Sequence, residues 1–291
     1  MRIQKHTSLI ILKLYTETLS ILKKYPLIYC PFLILALLEG VVLLLVIAIP
    51  REPLIGLFGP PIRVFLGENF LHYPINFYLL PKLFSSAQFF LVIVLGSLFS
   101  ATVISMIGTI QSKEKLNFKI SAIAAFKRYI SLVAVTFTVM FLFRCTVKLA
   151  VFLLTKYFLT GRTHLLFLDE RFWMGPILLF INFASAIFLQ ALFVYAIPIL
   201  IIERESFFRS LTRAAILFRK LIIPTLILVG LPMLTYLPIL ILQFNKGYLI
   251  NSVFPESIVL VTLVGMLLTT MVIDPLVTIS TALFYLSKRK Q

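Results

Sequence analysis

Residues 27–49 read LIYCPFLILALLEGVVLLLVIAI, an apolar run that carries one charged side chain, Glu39. A helix needs about 20 predominantly apolar residues to cross the hydrocarbon core of a bilayer, and this run is long enough. Five more runs of that kind follow, over 85–111, 129–155, 173–202, 221–243 and 257–286. Lipid offers no hydrogen bonds to the backbone, so an open-ended spanning segment must bond its own peptide groups and is helical. The reading is an all-α polytopic membrane protein with six transmembrane helices, forming a single membrane domain over 1–291.

Composition agrees. Of 291 residues 60% are hydrophobic and only 13% charged, and the mean hydropathy is +1.05. These values exclude a soluble domain and a disordered chain, and they exclude a nucleic-acid module despite the +16 net charge. The longest connection, Pro50 to about Leu83, is rich in Phe, Leu and Pro and leaves no room for a water-soluble catalytic domain. Cys30 and Cys145 lie inside apolar runs, so no disulfide framework is expected. Met1 to Tyr25 has charges throughout and no short apolar core before a cleavage site, which reads as a retained cytoplasmic segment.

Lys and Arg set the orientation. Arg2, Lys5, Lys13, Lys23 and Lys24 precede the first run, and Lys113, Lys115, Lys119, Lys127 and Arg128 follow the second. Arg204, Arg209, Arg213, Arg219 and Lys220 follow the fourth, and Lys288, Arg289 and Lys290 the sixth. The opposite side has fewer: Arg51, Arg63, Lys82, Lys156, Arg162, Arg171 and Lys246. Both termini are therefore expected in the cytoplasm, and in a bacterium or archaeon the membrane is the cytoplasmic (inner) one. The basic side also attracts anionic lipid headgroups.

Three basic corners look alike: Leu22-Lys23-Lys24-Tyr25, Phe126-Lys127-Arg128-Tyr129 and Phe218-Arg219-Lys220-Leu221. The stretch before each is expected to be an amphipathic interfacial helix. In the first, Leu12, Tyr15, Leu19 and Leu22 line one face. In the third, Phe207, Leu211, Ala214 and Phe218 do. The hypothesis is a threefold repeat of an interfacial helix plus a two-helix hairpin, over 1–111, 112–202 and 203–291. The competing explanation is that any helix entering a membrane from the basic side acquires such a corner.

From Pro198 the chain reads Pro198-Ile-Leu-Ile-Ile-Glu203, then Ser206, Ser210, Arg213 and Leu217, and it closes with Tyr285 before Lys288-Arg289-Lys290. This pattern resembles a family of six-helix bacterial and archaeal membrane proteins. That family includes the membrane domain fused to some glycerophosphodiester phosphodiesterases. The resemblance implies the architecture and no phosphodiesterase activity, which belongs to a separate soluble barrel. The chain departs from the pattern at Arg204 and Lys220, where Gly is usual, at Ala214 for Ser and at Ser287 for Asp.

Charges inside a span cost at least about 2.5–3.5 kcal/mol on insertion scales, so each needs a reason. Glu39, Arg144, Lys148 and Asp274 are such charges, and they balance. The expectation is a buried network in which Arg144 bridges Glu39 and Asp274, with Lys148 one turn away. A structural role is preferred to a substrate or proton site. Asn182 and Gln190 are candidates for interhelical hydrogen bonds, Ser97, Ala101 and Ser105 form a small-residue face, and Pro224, Pro232, Pro238 and Asp274-Pro275 should kink their helices. His6, His72 and His164 are dispersed, no metal-ligand spacing or phosphate loop occurs, and Asp169-Glu170-Arg171 reads as a solvated loop. No cofactor and no enzyme activity are expected. The favoured function is a non-enzymatic membrane scaffold or accessory component engaging anionic lipid or a protein partner. The alternative is a small transporter using the charged residues at mid-membrane.

Overall fold

The computed structural model describes residues 2–159 and 170–289. The side chains of 2–10 and 157–174 are outside that description, so His6, Arg162, His164 and the Asp169-Glu170-Arg171 run lie outside the described residues. Every regular element among the described residues is helical. Helix α1 (Arg2–Lys24) leads to α2 (Cys30–Ala48), α3 (Leu54–Leu66) and α4 (Ile75–Leu91). A π-helical turn over Val92–Gly96 joins α4 to α5 (Ser97–Gln111). Then come α6 (Phe118–Phe126), α7 (Tyr129–Leu159), α8 (Glu170–Phe193) and α9 (Ala196–Ile202). They are followed by α10 (Phe207–Lys220), α11 (Ile222–Leu234), α12 (Leu237–Phe244) and α13 (Lys246–Tyr248). A π-helical turn over Leu249–Val253, helix α14 (Ser257–Leu268), a further π-helical turn over Thr269–Ile273 and α15 (Asp274–Arg289) complete the chain order.

Five stretches are long and apolar enough to cross a membrane: Pro26–Ala48, Ile75–Gln111, Tyr129–Lys156, Gly175–Ile202 and Ser257–Arg289. The second begins at Ile75, not near residue 85, so the connection after Pro50 is shorter than its sequence reads and itself folds as α3. The expected run 221–243 is not one continuous helix. It is α11 and α12, interrupted at Thr235-Tyr236, and α10 meets α11 at 100°. Pro238 opens α12 in its first turn, where a missing N–H does least harm.

The prolines that disturb the helices free carbonyls that other elements satisfy. Pro232 offers no N–H to Leu228 O, four residues earlier, and the Tyr15 hydroxyl from α1 donates to that oxygen at 2.9 Å. Pro275 stands in the same relation to Met271, whose carbonyl accepts the Tyr29 hydroxyl. Burial pushes the Tyr15 phenol above its usual pKa, which keeps it a donor.

Helices α1, α6 and α10 each end at one of the three Lys/Arg corners. Helix α10 buries or half-buries the expected Phe207, Leu211, Ala214 and Phe218. Helix α1 buries Ile11, Leu14, Thr18 and Ile21, one residue before the expected face, while Leu12 and Leu19 are exposed. It has two apolar faces, and periodicity alone cannot tell which one meets protein. Helix α6 is not amphipathic in the expected sense. It buries Ser121 and Ala125 and exposes Ile120, Ile123 and Phe126 between Lys119 and Lys127.

These helices close a ring. Helix α6 packs on α5, α10 on α9 and α1 on α15. Helix α5 is central, touching α2, α6, α7, α9 and α15. Its Ala101, Val103, Met106 and Ile107 are fully enclosed, and the small Ser97 and Ala101 allow that close approach. After α5 and after α9 the chain turns through a left-handed residue, Lys113 (φ 60°) and Arg204 (φ 56°). The same local geometry thus recurs two residues past the end of α5 and of α9.

Candidate functional site

The second, fourth and sixth apolar rods stay continuous but each departs locally from α-helical geometry part-way: at the π turn Val92–Gly96, at a turn at Val194-Tyr195 and at the π turn Thr269–Ile273. Side-chain hydroxyls cover carbonyls there. Ser97 donates to Ile93 O at 2.7 Å and Thr269 to Gly265 O at 2.6 Å. π turns of this kind recur at functional sites, because they re-aim side chains out of helical register.

Between these turns lies a cavity of about 500 Å³, within the range of small-molecule sites. Its wall is drawn from α2, α4, α5, α7, α8, α9 and α15 and the two π turns, and is largely aromatic and aliphatic, with Phe32, Phe99, Val139, Phe143 and Phe193. Glu39, Arg144 and Asp274 all line it. Each lies about 20 Å along its rod from the end that carries the Lys and Arg, counted at 1.5 Å per residue. Three charges widely separated in the chain therefore share one depth and one cavity.

The ion pairs expected of them do not form. Glu39 is 1% exposed, and its carboxylate accepts from Gln88 Nε2 at 3.0 Å and from Thr270 Oγ1 at 2.5 Å. Two neutral donors, one beside each π turn, do the work assigned to Arg144. Arg144, exposed on α7 like Lys148, has no carboxylate within 4.0 Å among the described residues. Its guanidinium lies over the Phe89 ring, 4.4 Å from the centroid. Asp274 is half-buried in the cavity wall and accepts no side-chain hydrogen bond among the described residues. Lys148 is exposed and outside the cavity lining, so the four-membered network reduces to three residues around a space.

Gln190 lines the same cavity, whereas Asn182 does not, and neither makes an interhelical side-chain bond among the described residues. Cys145 adjoins Arg144 but is exposed on the other face of α7. Thr136 was not singled out by sequence, yet its buried hydroxyl oxygen has no partner and belongs to the cavity wall. Gln88, Phe89 and Thr270 were also missed. A lone Gln or Thr in an apolar run carries no signal until the turn that aims it is known.

The family-like residues assemble at the basic end. Glu203 accepts from the Arg213 guanidinium and from the Tyr285 hydroxyl, and Arg289 Nε lies 4.0 Å away. Arg213 also reaches Glu205 at 2.9 Å. Glu203 thus ties α9, α10 and α15 together, just beyond the cavity residues Ile197 and Thr281. Pro198 is buried in α9, and Ser206 is the N-cap residue of α10, its carbonyl accepting Ser210 N–H at 2.9 Å. Arg204 adopts the left-handed conformation where the family has Gly, and its carbonyl accepts from Arg128 at 3.0 Å. Among the described residues no group of His, Cys, Asp and Glu is arranged to hold a metal ion. No family model matches the chain, and neither a curated protein nor a solved structure is similar to it.

Proposed function

We propose that this chain is a small, non-enzymatic transporter that binds its ligand in the cavity bordered by Glu39, Arg144 and Asp274. One observation carries the reading. Three rods, each with a local departure from α-helical geometry part-way along, converge on a cavity that all three charges line, and irregular helices around a mid-membrane site recur in secondary transporters. In this reading the five long apolar stretches and the α11–α12 pair are six spans of the cytoplasmic membrane. Both termini face the cytoplasm, as the Lys and Arg distribution favours. The three units are a parallel repeat, related to the family that Pro198, Glu203, Ser206 and Arg213 resemble. Helices α1, α6 and α10 rest in the inner interface, their Lys and Arg toward anionic headgroups and exposed Leu12, Ile120, Phe126 and Phe208 toward acyl chains.

The scaffold reading draws on those same basic helices, which serve equally as the anchor of a transporter. The test uses a chain with Cys30→Ser and Cys145→Ser and a single new cysteine in the cavity wall, Thr136→Cys or Ser100→Cys. A membrane-impermeant maleimide is applied to right-side-out and to inverted vesicles. Labelling from at least one side is expected, since alkylation needs water to support the thiolate. Protection of both positions from both sides until denaturation would leave the scaffold as the better reading.

A further inference from the structure

The cavity has two ends of different chemistry. Glu39, Gln88, Arg144, Thr270 and Asp274 gather at one depth, while toward the basic ends of the rods the wall is Phe32, Val135, Phe193, Val194 and Ile197 with hydroxyls between. A head-and-tail shape of that kind matches an amphiphile. The two unsatisfied charges specify its head. Glu39 is already occupied by Gln88 and Thr270, which leaves Arg144 and Asp274 as a cation and an anion facing one space without an ion pair between them. Both line the cavity without a partner of opposite sign, so a ligand that brings the opposite pair is favoured over one that brings a single charge.

From this we infer that the cavity takes a zwitterionic single-chain amphiphile, its anionic group on Arg144, its amine on Asp274 and its chain along the Phe32–Phe193 wall. The inference rests on the transporter reading and names the ligand class for that site. Arg144 would leave the Phe89 face to meet the anionic group, so Phe89 covers the head site when it is empty. Helix α7 supplies Arg144 and much of the apolar wall, and it is also the rod least covered by protein, 11% of its apolar window being buried. The membrane is thus the near source of the ligand. A soluble zwitterion has no use for the apolar wall.

The test measures binding to the purified full chain in a neutral maltoside detergent, by native mass spectrometry. The probes are lysophosphatidylethanolamine, lysophosphatidic acid, dodecylamine and glycerophosphoethanolamine. The lysophosphatidylethanolamine is expected to bind at least about tenfold tighter than either singly charged amphiphile, the worth of one charge-assisted contact. Arg144→Gln should erase its advantage over dodecylamine, Asp274→Asn its advantage over lysophosphatidic acid, and Arg144→Lys should retain most of the first. Equal affinity for all three amphiphiles overturns the inference, as does binding of glycerophosphoethanolamine as tight as that of the lipid. Thr136→Trp and Ser100→Trp, which fill the cavity, separate the two levels of the argument. Should every probe bind both fillers as it binds the parent chain, the cavity reading itself fails. Binding lost in the fillers but blind to head charge overturns only the ligand class.

Discussion

Arg204 holds a left-handed backbone (φ 56°) immediately after Glu203, a conformation that costs an L-residue with a Cβ about 1–2 kcal/mol. Its carbonyl is used by Arg128, so the backbone there is fixed by neighbours on both sides. Arg204→Gly is expected to raise the stability of the detergent-solubilised protein by about 0.5–1 kcal/mol, after the greater chain entropy of glycine is subtracted. Arg204→Ala should leave it nearly unchanged, and equal gains from both would mean the backbone is not what limits this position. Glu39 makes a second prediction at this scale. Thr270→Val removes one of two donors to a buried carboxylate and should cost about 1–3 kcal/mol in thermal unfolding. Adding Glu39→Gln should recover part of that loss, because a neutral amide short of a donor is cheaper to bury than a carboxylate. No recovery would show that Thr270 acts by packing alone. The burial of Glu39 was legible in the sequence as a lone acid in an apolar run. Its partners were not, since Gln88 and Thr270 come from rods far apart in the chain and are aimed by π turns that no periodicity announces.

Among the elements, prolines and tyrosines form couples across the fold. Tyr15→Phe leaves the Leu228 carbonyl without its donor and should cost about 1 kcal/mol. In a Pro232→Ala background the residue at 232 can supply its own N–H to Leu228, and the same Tyr15→Phe change should then be nearly silent. Additive costs in this double-mutant cycle would contradict the coupling. The break between α11 and α12 was readable from Pro232 and Pro238, whereas Pro224 opens α11 in its first turn without breaking it, and the buried face of α10 was readable from its period. The buried face of α1 was displaced by one residue, and α6 lacked the amphipathic stripe expected of it. Both departures have one cause. A helix between protein and acyl chains meets two apolar surroundings, and the period reports their sum.

At the scale of the whole molecule, the recurring basic corners were visible in sequence, but their closure into a ring was not. Nothing in a linear pattern says that α1 will lie on α15 as α6 lies on α5. The arrangement makes a prediction about chain order. A circular permutant that opens between Gln111 and Phe118, and links Arg289 to the start of α1 through a short flexible connection, should fold. Its unfolding midpoint should fall within a few degrees of the parent's. A permutant opened inside α7 should not fold. Aggregation of the first would argue that the contact between α1 and α15 is incidental to the fold.

That contact also bears on how the molecule is made. A ribosome produces α1 early and α15 late, so the buried face of α1, with Ile11, Leu14, Thr18 and Ile21, has no protein surface to meet while most of the chain is being inserted. In the membrane reading proposed above, the helix would until then rest on the bilayer surface, held by Leu12, Leu19 and its lysines. A transcript cut short before α15 would leave that face uncovered, a mark by which cellular proteases could distinguish an unfinished copy from a finished one.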